Sequence, residues 1–206
     1  MLVDREEAGK LLAKKLEQYR SSDAVVLALP RGGVVLGYEI ARALQLPLDI
    51  IPVRKIGHPY SKEVAVGAVN EDGKVIFDDV MVENVDKQWL KKAIEREKAE
   101  SARRARTYRK GAPVAIAGKT AIIVDDGIAT GLTMKLAVMV ANAQDPKKIV
   151  VAVPVASREA MEALEKIGAT VVLLEPHEKF LGAVGAHYVN FDQVEDDEVI
   201  RLLNTA

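Results

Sequence analysis

The segment AIIVDDGIATGLT, residues 121–133, carries the pattern that decides the fold. It starts with four apolar residues, continues through Asp125 and Asp126 into a loop of small residues, and reaches a helical pattern at Leu132. A short run that is apolar on both faces is typical of a buried parallel strand. The segment therefore predicts a buried strand, two carboxylates at its carboxyl end, and a loop that leads into a helix.

Similar aliphatic runs recur along the chain, and helical patterns separate them. The other runs are AVVLAL from Ala24, LDIIPV from Leu48, IVVAV from Ile149 and VVLL from Val171, and the helical patterns cover 34–45, 132–144 and 157–167. Strands that alternate with helices indicate an α/β fold. We expect a doubly wound, mostly parallel five-stranded sheet with helices on both faces.

Three further segments lie outside this rhythm. Residues 4–20 place apolar side chains at helical spacing behind Asp4, which can cap the first turn. The polar stretch IGHPYSKE, residues 56–63, predicts a loop, and VAVGAVNEDGKVIF, residues 64–77, predicts an inserted hairpin. Residues 86–110 predict one long helix before the strand at residue 121.

The domain organisation follows from these elements. The segment from Glu175 onward abandons the strand–helix rhythm, and we expect it to form a hood over the edge of the sheet. The sequence contains no low-complexity tract and no interdomain linker. We therefore expect a single domain over 1–206, with a core at about 24–174 and a hood made of 175–206 and the N-terminal helix.

Composition limits the classes of function. Because the sequence has no cysteine, disulfides, thiolate nucleophiles and cysteine-based zinc sites are excluded. No apolar run approaches the ~20 residues that span a bilayer, and the first ten residues lack the apolar stretch of a signal peptide. A net charge of −1 gives the whole molecule no electrostatic reason to bind nucleic acid. We expect a cytoplasmic protein with no membrane partner.

The loop after the two acids has the features of a phosphate site. Backbone N–H groups of residues 128–132, at the start of the helix, point outward with the positive end of the helix dipole. Gly131 permits close approach, and the hydroxyls of Thr130 and Thr133 can donate to the same phosphate oxygens. Asp125 and Asp126 accept hydrogen bonds, as a pair of ribose hydroxyls requires. Together these groups describe a site for a ribose 5-phosphate.

This segment resembles the motif with which type I phosphoribosyltransferases bind 5-phosphoribosyl 1-pyrophosphate (PRPP). Leu132 departs from the motif, which often has a second glycine there. The resemblance implies that PRPP binds to Asp125, Asp126, Gly127, Ile128, Ala129, Thr130, Gly131 and Thr133. It also implies that Asp125 stabilises the developing ribosyl cation, and that Asp125 and Asp126 hold Mg²⁺ through water.

Two other segments resemble the pyrophosphate-binding parts of this family. LPRGG, residues 29–33, is similar to the pyrophosphate loop, which implies a role for Arg31, Gly32 and Gly33. IPVRKIG, residues 51–57, places Arg54 and Lys55 where the family has a basic pair, followed by a loop at 58–63 that closes over the reaction. The resemblance implies that Arg54 and Lys55 contribute to catalysis together with Asp125.

The acceptor remains open. EPHEKFLGAVGAHYVNF, from Glu175, is similar to the base-recognition hood of the hypoxanthine/guanine branch, with Phe180 at the stacking position and His187 where that branch has an acid. A core aromatic and a surface histidine are the structural alternative. Ala129 stands where the 6-oxopurine enzymes carry an aspartate, which disfavours hypoxanthine and guanine.

The resemblance implies a magnesium-dependent phosphoribosyltransferase of nucleotide salvage that acts on PRPP and a nucleobase-like acceptor. LPRGG, RKIG and VDDGIATG together also resemble predicted phosphoribosyltransferases of unassigned substrate. The alternative is a PRPP- or nucleotide-sensing regulator that binds nucleic acid through the basic helix at 91–110, which includes Arg103, Arg104, Arg106 and Arg109. A solvated helix and a homo-oligomer contact through Trp89 are the other interpretations of this segment.

Overall fold

The computed structural model describes the backbone of residues 1–206 and all side chains except those of Lys62 and Glu63. The helices are α1 (Arg5–Lys15), α2 (Gly32–Leu44), α3 (Asp79–Val82), α4 (Lys87–Tyr108), α5 (Leu132–Asn142), α6 (Arg158–Lys166) and α7 (Asp196–Thr205). The strands are β1 (Val25–Ala28), β2 (Leu48–Ile50), β3 (Val53–His58), β4 (Ser61–Asn70), β5 (Val75–Phe77), β6 (Thr120–Val124), β7 (Lys148–Val153) and β8 (Thr170–Leu173).

The main sheet has five strands in the order β2-β1-β6-β7-β8, and each neighbouring pair is parallel. Alternate side chains of the central strands face opposite sides of the sheet. Ile122 and Val124 pack with α1 and α2, whereas Ala121 and Ile123 pack with α5 and α6. The prediction of a doubly wound α/β sheet with helices on both faces is therefore confirmed.

A second, antiparallel sheet has the order β3-β4-β5. Its β4–β5 part is the predicted hairpin, but the predicted loop at 56–63 is wrong, because β3 runs to His58 and β4 begins at Ser61. Packing explains the difference: Val53 is buried with the α5 side of the core, and Ile56 is buried against α4. The side chains of Lys62 and Glu63, which belong to that predicted loop, lie outside the described residues.

The long helix α4 crosses the outer face of the small sheet. Trp89, Leu90 and Ile94 pack against Ile56 and its neighbours on β4, so the chain uses this apolar face internally. Short 3₁₀ turns at His177–Lys179 and Val184–His187 follow β8, and α7 then packs on α2. No helix in the described part of the chain is both long and apolar enough to span a membrane.

The packing of β3 generates a stability prediction. Replacing Ile56, which is fully buried, with alanine should lower the free energy of unfolding by about 2–5 kcal/mol, because it leaves a cavity under α4. Tyr60, which is 92% exposed at the tip of the hairpin, is the matched control, and Tyr60→Ala should change stability by less than about 0.5 kcal/mol. Urea denaturation measures both, and equal effects would contradict the burial of β3.

Candidate functional site

The loops that follow β1 and β6 touch at the carboxyl end of the main sheet. The N–H of Leu29 donates to the carbonyl of Val124 at 2.9 Å. A Cβ on Gly32 would lie 2.1 Å from Oδ2 of Asp126, and one on Gly33 would lie 2.7 Å from the carbonyl oxygen of Val124. Only residues without a side chain allow this approach, so the predicted pyrophosphate loop lies directly against the acid pair.

The loop between β6 and α5 is held by the segment after β7. The N–H of Ile128 donates to the carbonyl of Val155 at 2.9 Å, and the Ser157 hydroxyl donates to the carbonyl of Ala129 at 2.7 Å. Gly131 has a φ of 83° and forms the N-cap of α5, where no described side chain caps the helix. The first N–H groups of α5 thus face the loop, as the sequence predicts for a phosphate site.

A cavity of about 570 Å³ opens beside this loop. Its wall contains predicted PRPP-binding residues, the basic residue Lys55 and five residues of the hood, one of which is aromatic. The lining residues are Lys55, Gly127, Ile128, Ala129, Thr130, Gly131, Thr133, Gly182, Ala183, Val184, Gly185 and Phe191. The structure therefore brings the phosphate loop, a basic side chain and the hood together around one space.

The two residues of the predicted basic pair separate in the structure. Lys55 lines the cavity, whereas Arg54 forms an ion pair with Glu97 of α4, with Nη2 and Oε2 3.0 Å apart. Successive side chains of a strand point to opposite faces, and β3 includes both residues. Of the two, Lys55 is the one placed beside the phosphate loop.

Arg31 points toward the start of α7. Its Nη1 lies 3.5 Å from Oδ1 of Asp196 and 3.6 Å from Oε2 of Glu195, and the residue is outside the cavity wall. The carbonyl of Pro30 accepts a hydrogen bond from Nη1 of Arg104 at 3.0 Å. The predicted pyrophosphate loop is thus tied to α4 and α7 on the side away from the acids.

Asp125 and Asp126 are crowded and largely buried. Burial raises the pKa of Asp125 well above its ordinary value, and the negative charge of Asp126 adds to the shift. Burial also raises the pKa of Asp126, although Arg5 opposes that shift by its charge and its hydrogen bond. Because ionising both groups is unfavourable, a cation or hydroxyl donors bound between them would relieve the repulsion.

The donor set fits magnesium and does not fit a dedicated metal cage. Among the described residues, no group of three or more His, Cys, Asp and Glu side chains is arranged to hold a metal ion. Mg²⁺ keeps several of its waters and commonly binds through one or two carboxylates plus substrate phosphates. Asp125 and Asp126 provide such a pair beside the phosphate loop.

The predicted base-pocket residues lie outside the cavity wall. Phe180 and His187 stack on each other with ring centroids 5.6 Å apart. His187 is buried, its Nε2 accepts from the N–H of Leu181 at 3.0 Å, and its Nδ1 lies 3.4 Å from Glu175. Both ring nitrogens thus serve contacts within the hood, and His187 is a core residue rather than the surface residue of the structural alternative.

Three residues at the site were missed by the sequence interpretation. Arg5 contacts Asp126 with Nε and Oδ2 2.8 Å apart, and the hydroxyl of Tyr188 donates to the backbone carbonyl of Asp126 at 2.7 Å. Phe191 lines the cavity and stacks on Tyr188 at 4.9 Å. The hood sequence contained both aromatics, but it lacks a periodicity that indicates which rings face the site.

Several basic side chains of α4, and Arg109 directly after it, form ion pairs within the protein. Arg103 pairs with Glu100 and Asp196, Arg104 is buried beside Glu100, and Arg109 pairs with the buried Asp49. These pairs join α4 to α7 and β2. They weaken the interpretation of this helix as a nucleic-acid surface.

A parallel sheet whose carboxyl edge carries an acid pair, a glycine turn and an uncapped helix start belongs to the class of α/β folds with a candidate phosphate site at this edge. The chain belongs to the phosphoribosyl transferase domain family, whose model matches residues 4–188.

Two relatives extend this finding. The chain is 43% identical over 206 residues to the Mycobacterium tuberculosis H37Rv protein named "Putative phosphoribosyl transferase Rv0571c", an alignment that covers 98% of this chain and 46% of that protein. It therefore spans about half the length of the curated relative that it matches. The crystal structure of TT1426 from Thermus thermophilus is 41% identical, covers 98% of both chains, and superimposes with a TM-score of 0.77.

The acid pair generates a prediction about stability in the absence of magnesium. Asp125→Asn should raise the free energy of unfolding at neutral pH by about 1 kcal/mol, because it removes a buried charge that is costly to ionise. For the wild type, the raised folded pKa means that stability falls as pH rises from the unfolded pKa through the folded pKa of Asp125.

Urea denaturation between pH 4 and 8 measures both effects, with the exposed Asp23→Asn as the matched control. The Asp125→Asn variant should lose most of this pH dependence, while Asp23→Asn should keep it. A variant that is less stable than the wild type at neutral pH would contradict the assigned cause.

Proposed function

We propose that the chain is a magnesium-dependent phosphoribosyltransferase that transfers ribose 5-phosphate from PRPP to a nitrogenous base and releases pyrophosphate. One observation carries the proposal. The phosphate loop and Lys55 line one cavity, and the acid pair lies next to this loop in contact with Gly32. A ribose 5-phosphate with a pyrophosphate leaving group needs a phosphate loop, hydrogen-bond acceptors for its hydroxyls and positive charge at the pyrophosphate, all next to one another. The family of the chain supports the same reaction.

In this proposal, the loop from Gly127 to Gly131 and the start of α5 bind the 5-phosphate through backbone N–H groups. Thr130 and Thr133 add hydroxyl donors at the same place. Asp125 and Asp126 accept hydrogen bonds from the ribose hydroxyls, which orients the sugar before reaction. The acids therefore position the anomeric carbon between the acceptor and the leaving group.

In this proposal, the leaving group lies between Lys55 and the glycine turn, where the N–H of Gly32 is the available donor because that of Gly33 donates to the carbonyl of Leu29 at 3.1 Å. A nitrogen of the acceptor forms a bond to the anomeric carbon while the bond from that carbon to pyrophosphate oxygen breaks. Magnesium, when bound with PRPP, supplies positive charge to the departing pyrophosphate, and Asp125 and Asp126 would hold it through its water ligands. Lys55 adds fixed positive charge beside the reaction, where preorganised electrostatics have their largest effect.

The acceptor binds, in this proposal, between the phosphate loop and the hood. Gly182 to Gly185 form that side of the cavity, and the ring of Phe191 lines it. Arg5 and Tyr188 pack on the faces of this ring, so its edge contacts the acceptor in this proposal. Phe191 thus replaces Phe180 as the aromatic contact, because Phe180 lies against His187 outside the cavity wall. With Ala129 at the position of the 6-oxopurine aspartate, we expect hypoxanthine and guanine to be poor acceptors.

The magnesium and PRPP assignments are tested together by calorimetry. Wild type should bind PRPP in a magnesium-dependent manner, and Asp125→Asn combined with Asp126→Asn should reduce affinity at least about a hundredfold, because two charge-assisted hydrogen bonds are weakened. The double change of the exposed Asp23 and Asp79 to asparagine is the control. Wild type without PRPP affinity would refute the proposed function, and an unaffected acid double variant would refute the assignment of the site.

Substitutions of Phe191 and Phe180 test which of these aromatic residues contacts the acceptor. Pyrophosphate release is first screened with purine and pyrimidine bases, and the active base is then titrated. Phe191→Leu should raise KM for that base by about two- to tenfold, the cost of losing about 0.5–1.5 kcal/mol of aromatic edge contact, and leave PRPP affinity unchanged. Phe180→Leu should change neither quantity. A raised KM in Phe180→Leu with no change in Phe191→Leu would instead support Phe180 as the aromatic residue at the base, as the sequence predicts.

A further inference from the structure

Arg5, the first residue of α1, connects three parts of the candidate site. Its Nε lies 2.8 Å from Oδ2 of Asp126, and its Nη1 donates to the backbone carbonyl of Asp192 at 2.7 Å. Its guanidinium carbon lies 3.9 Å from the ring centroid of Phe191. A Cβ on Gly32 would be only 2.9 Å from Nε. One side chain therefore touches the acid pair, the hood and the glycine turn.

These contacts are built into the fold. The Arg5 side chain is 12% exposed, and Asp4 caps the helix from the preceding position, with its carboxylate accepting from the N–H of Glu7 at 2.8 Å. Leu2 pairs with Tyr188 in a short parallel bridge, which fixes the chain entering α1 against the hood. A guanidinium can hold a carboxylate, a carbonyl and an aromatic face at once, because it is planar and carries five donors.

The contact with Asp126 leaves that carboxylate able to bind a substrate. Arg5 takes one position on Oδ2, whereas a carboxylate offers about four acceptor positions in all. The backbone of Asp126 is fixed independently, since its N–H donates to Oδ1 of Asp125 at 2.8 Å and its carbonyl accepts from Tyr188. Arg5 thus sets the orientation of the side chain without occupying all of it.

The charge of Arg5 also suits an anionic substrate. Asp125 and Asp126 are adjacent carboxylates, and without a nearby cation they would repel the phosphates of PRPP. Arg5 is in direct contact with Asp126 of this pair, whereas Lys55 lies beside the phosphate loop.

We propose that Arg5 is a positioning residue for PRPP binding, which holds Asp126 in the orientation that accepts ribose hydroxyls and fixes Phe191 and Asp192 of the hood to the same carboxylate. This inference rests on the proposed function. Through its guanidinium, Arg5 of the N-terminal helix then joins two distant parts of the sequence, the hood and the loop after β6, at the proposed ribose site.

The test compares PRPP affinity in the presence of magnesium for wild type, Arg5→Met, Arg5→Lys and Arg42→Met. Arg5→Met keeps the bulk of the side chain and removes the charge-assisted contact, so affinity should fall about ten- to a hundredfold. Arg5→Lys restores a positive charge at Asp126 but not the planar fork that holds Asp192 and Phe191, so its affinity should lie between those of Arg5→Met and wild type. If Arg5 acted only by stabilising the fold, PRPP affinity would not depend on the charge of the side chain at position 5.

Arg42 is the matched control, because it also combines a carboxylate partner with an aromatic ring. Its Nη2 lies 3.8 Å from Glu39, and its guanidinium carbon lies 5.7 Å from the Tyr38 ring centroid, on a side chain that is 64% exposed. Arg42→Met should leave PRPP affinity unchanged. Thermal unfolding of every variant is measured alongside, and Arg5→Gln replaces Arg5→Met in the comparison if the methionine variant does not fold.

The outcomes separate this inference from the proposed function. Wild type that fails to bind PRPP refutes the proposed function itself. Wild type that binds, together with neutral Arg5 variants that bind equally well or more tightly, overturns only the role of Arg5. Equal losses in Arg5→Lys and Arg5→Met, or neutral variants that all unfold, also overturn it, because Arg5 would then act through folding alone.

Discussion

The parallel pairing of β1 with β6 is the constraint on which the rest of the site depends. Val25 pairs with Ala121 and Ala28 with Val124, so both strands end in the same row of the sheet. The loops that follow therefore leave the sheet side by side, and one of them must consist of residues without a side chain at the point of contact. Gly32 and Gly33 meet this requirement, because any side chain there would collide with Asp126 or with the backbone of β6.

The same constraint creates an electrostatic cost. Two adjacent aspartates lie against a glycine turn at the edge of an apolar sheet, and their pKa values are raised because solvent is largely displaced. A fold selected only for stability would not place two acids there. Arg5 offsets part of the cost for Asp126, which makes the N-terminal helix an electrostatic component of the site as well as a packing element.

The sequence was sufficient for the parts of the fold in which local pattern and burial agree. The three central strands β1, β6 and β7 are aliphatic runs that are buried on both faces, and such runs are the clearest strand signal in a sequence. The polar stretch at 56–63 was misread as a loop because IGHPYSKE has the composition of a turn, whereas pairing with β4 and burial of Ile56 make most of it strand. Tertiary packing overrode local composition in this segment.

The candidate site likewise contains parts that local sequence pattern predicts and parts that depend on tertiary packing. The phosphate loop is a short-range pattern, and residues 127–131 and 133 line one cavity. Assigning 53–58 to a strand would also have separated Arg54 from Lys55, since neighbours in a strand face opposite sides. The contacts of Arg5 and Phe191 depend on how the N-terminal helix packs against residues 175–195. This part of the chain consists of 3₁₀ turns and irregular segments, so its sequence has no periodicity that predicts which side chains face the site.

The composition of the cavity wall bears on how an acceptor would be chosen. Gly182, Ala183 and Gly185 on the hood and Ala129 on the loop have no side-chain hydrogen-bonding group, so they cannot read the edge of a base. In the proposed reaction, selectivity would then come from the edge of the Phe191 ring, the shape of the cavity and backbone groups. Arg5 contacts both Phe191 and Asp126, so one side chain joins the acceptor wall to the carboxylate proposed to hold the ribose.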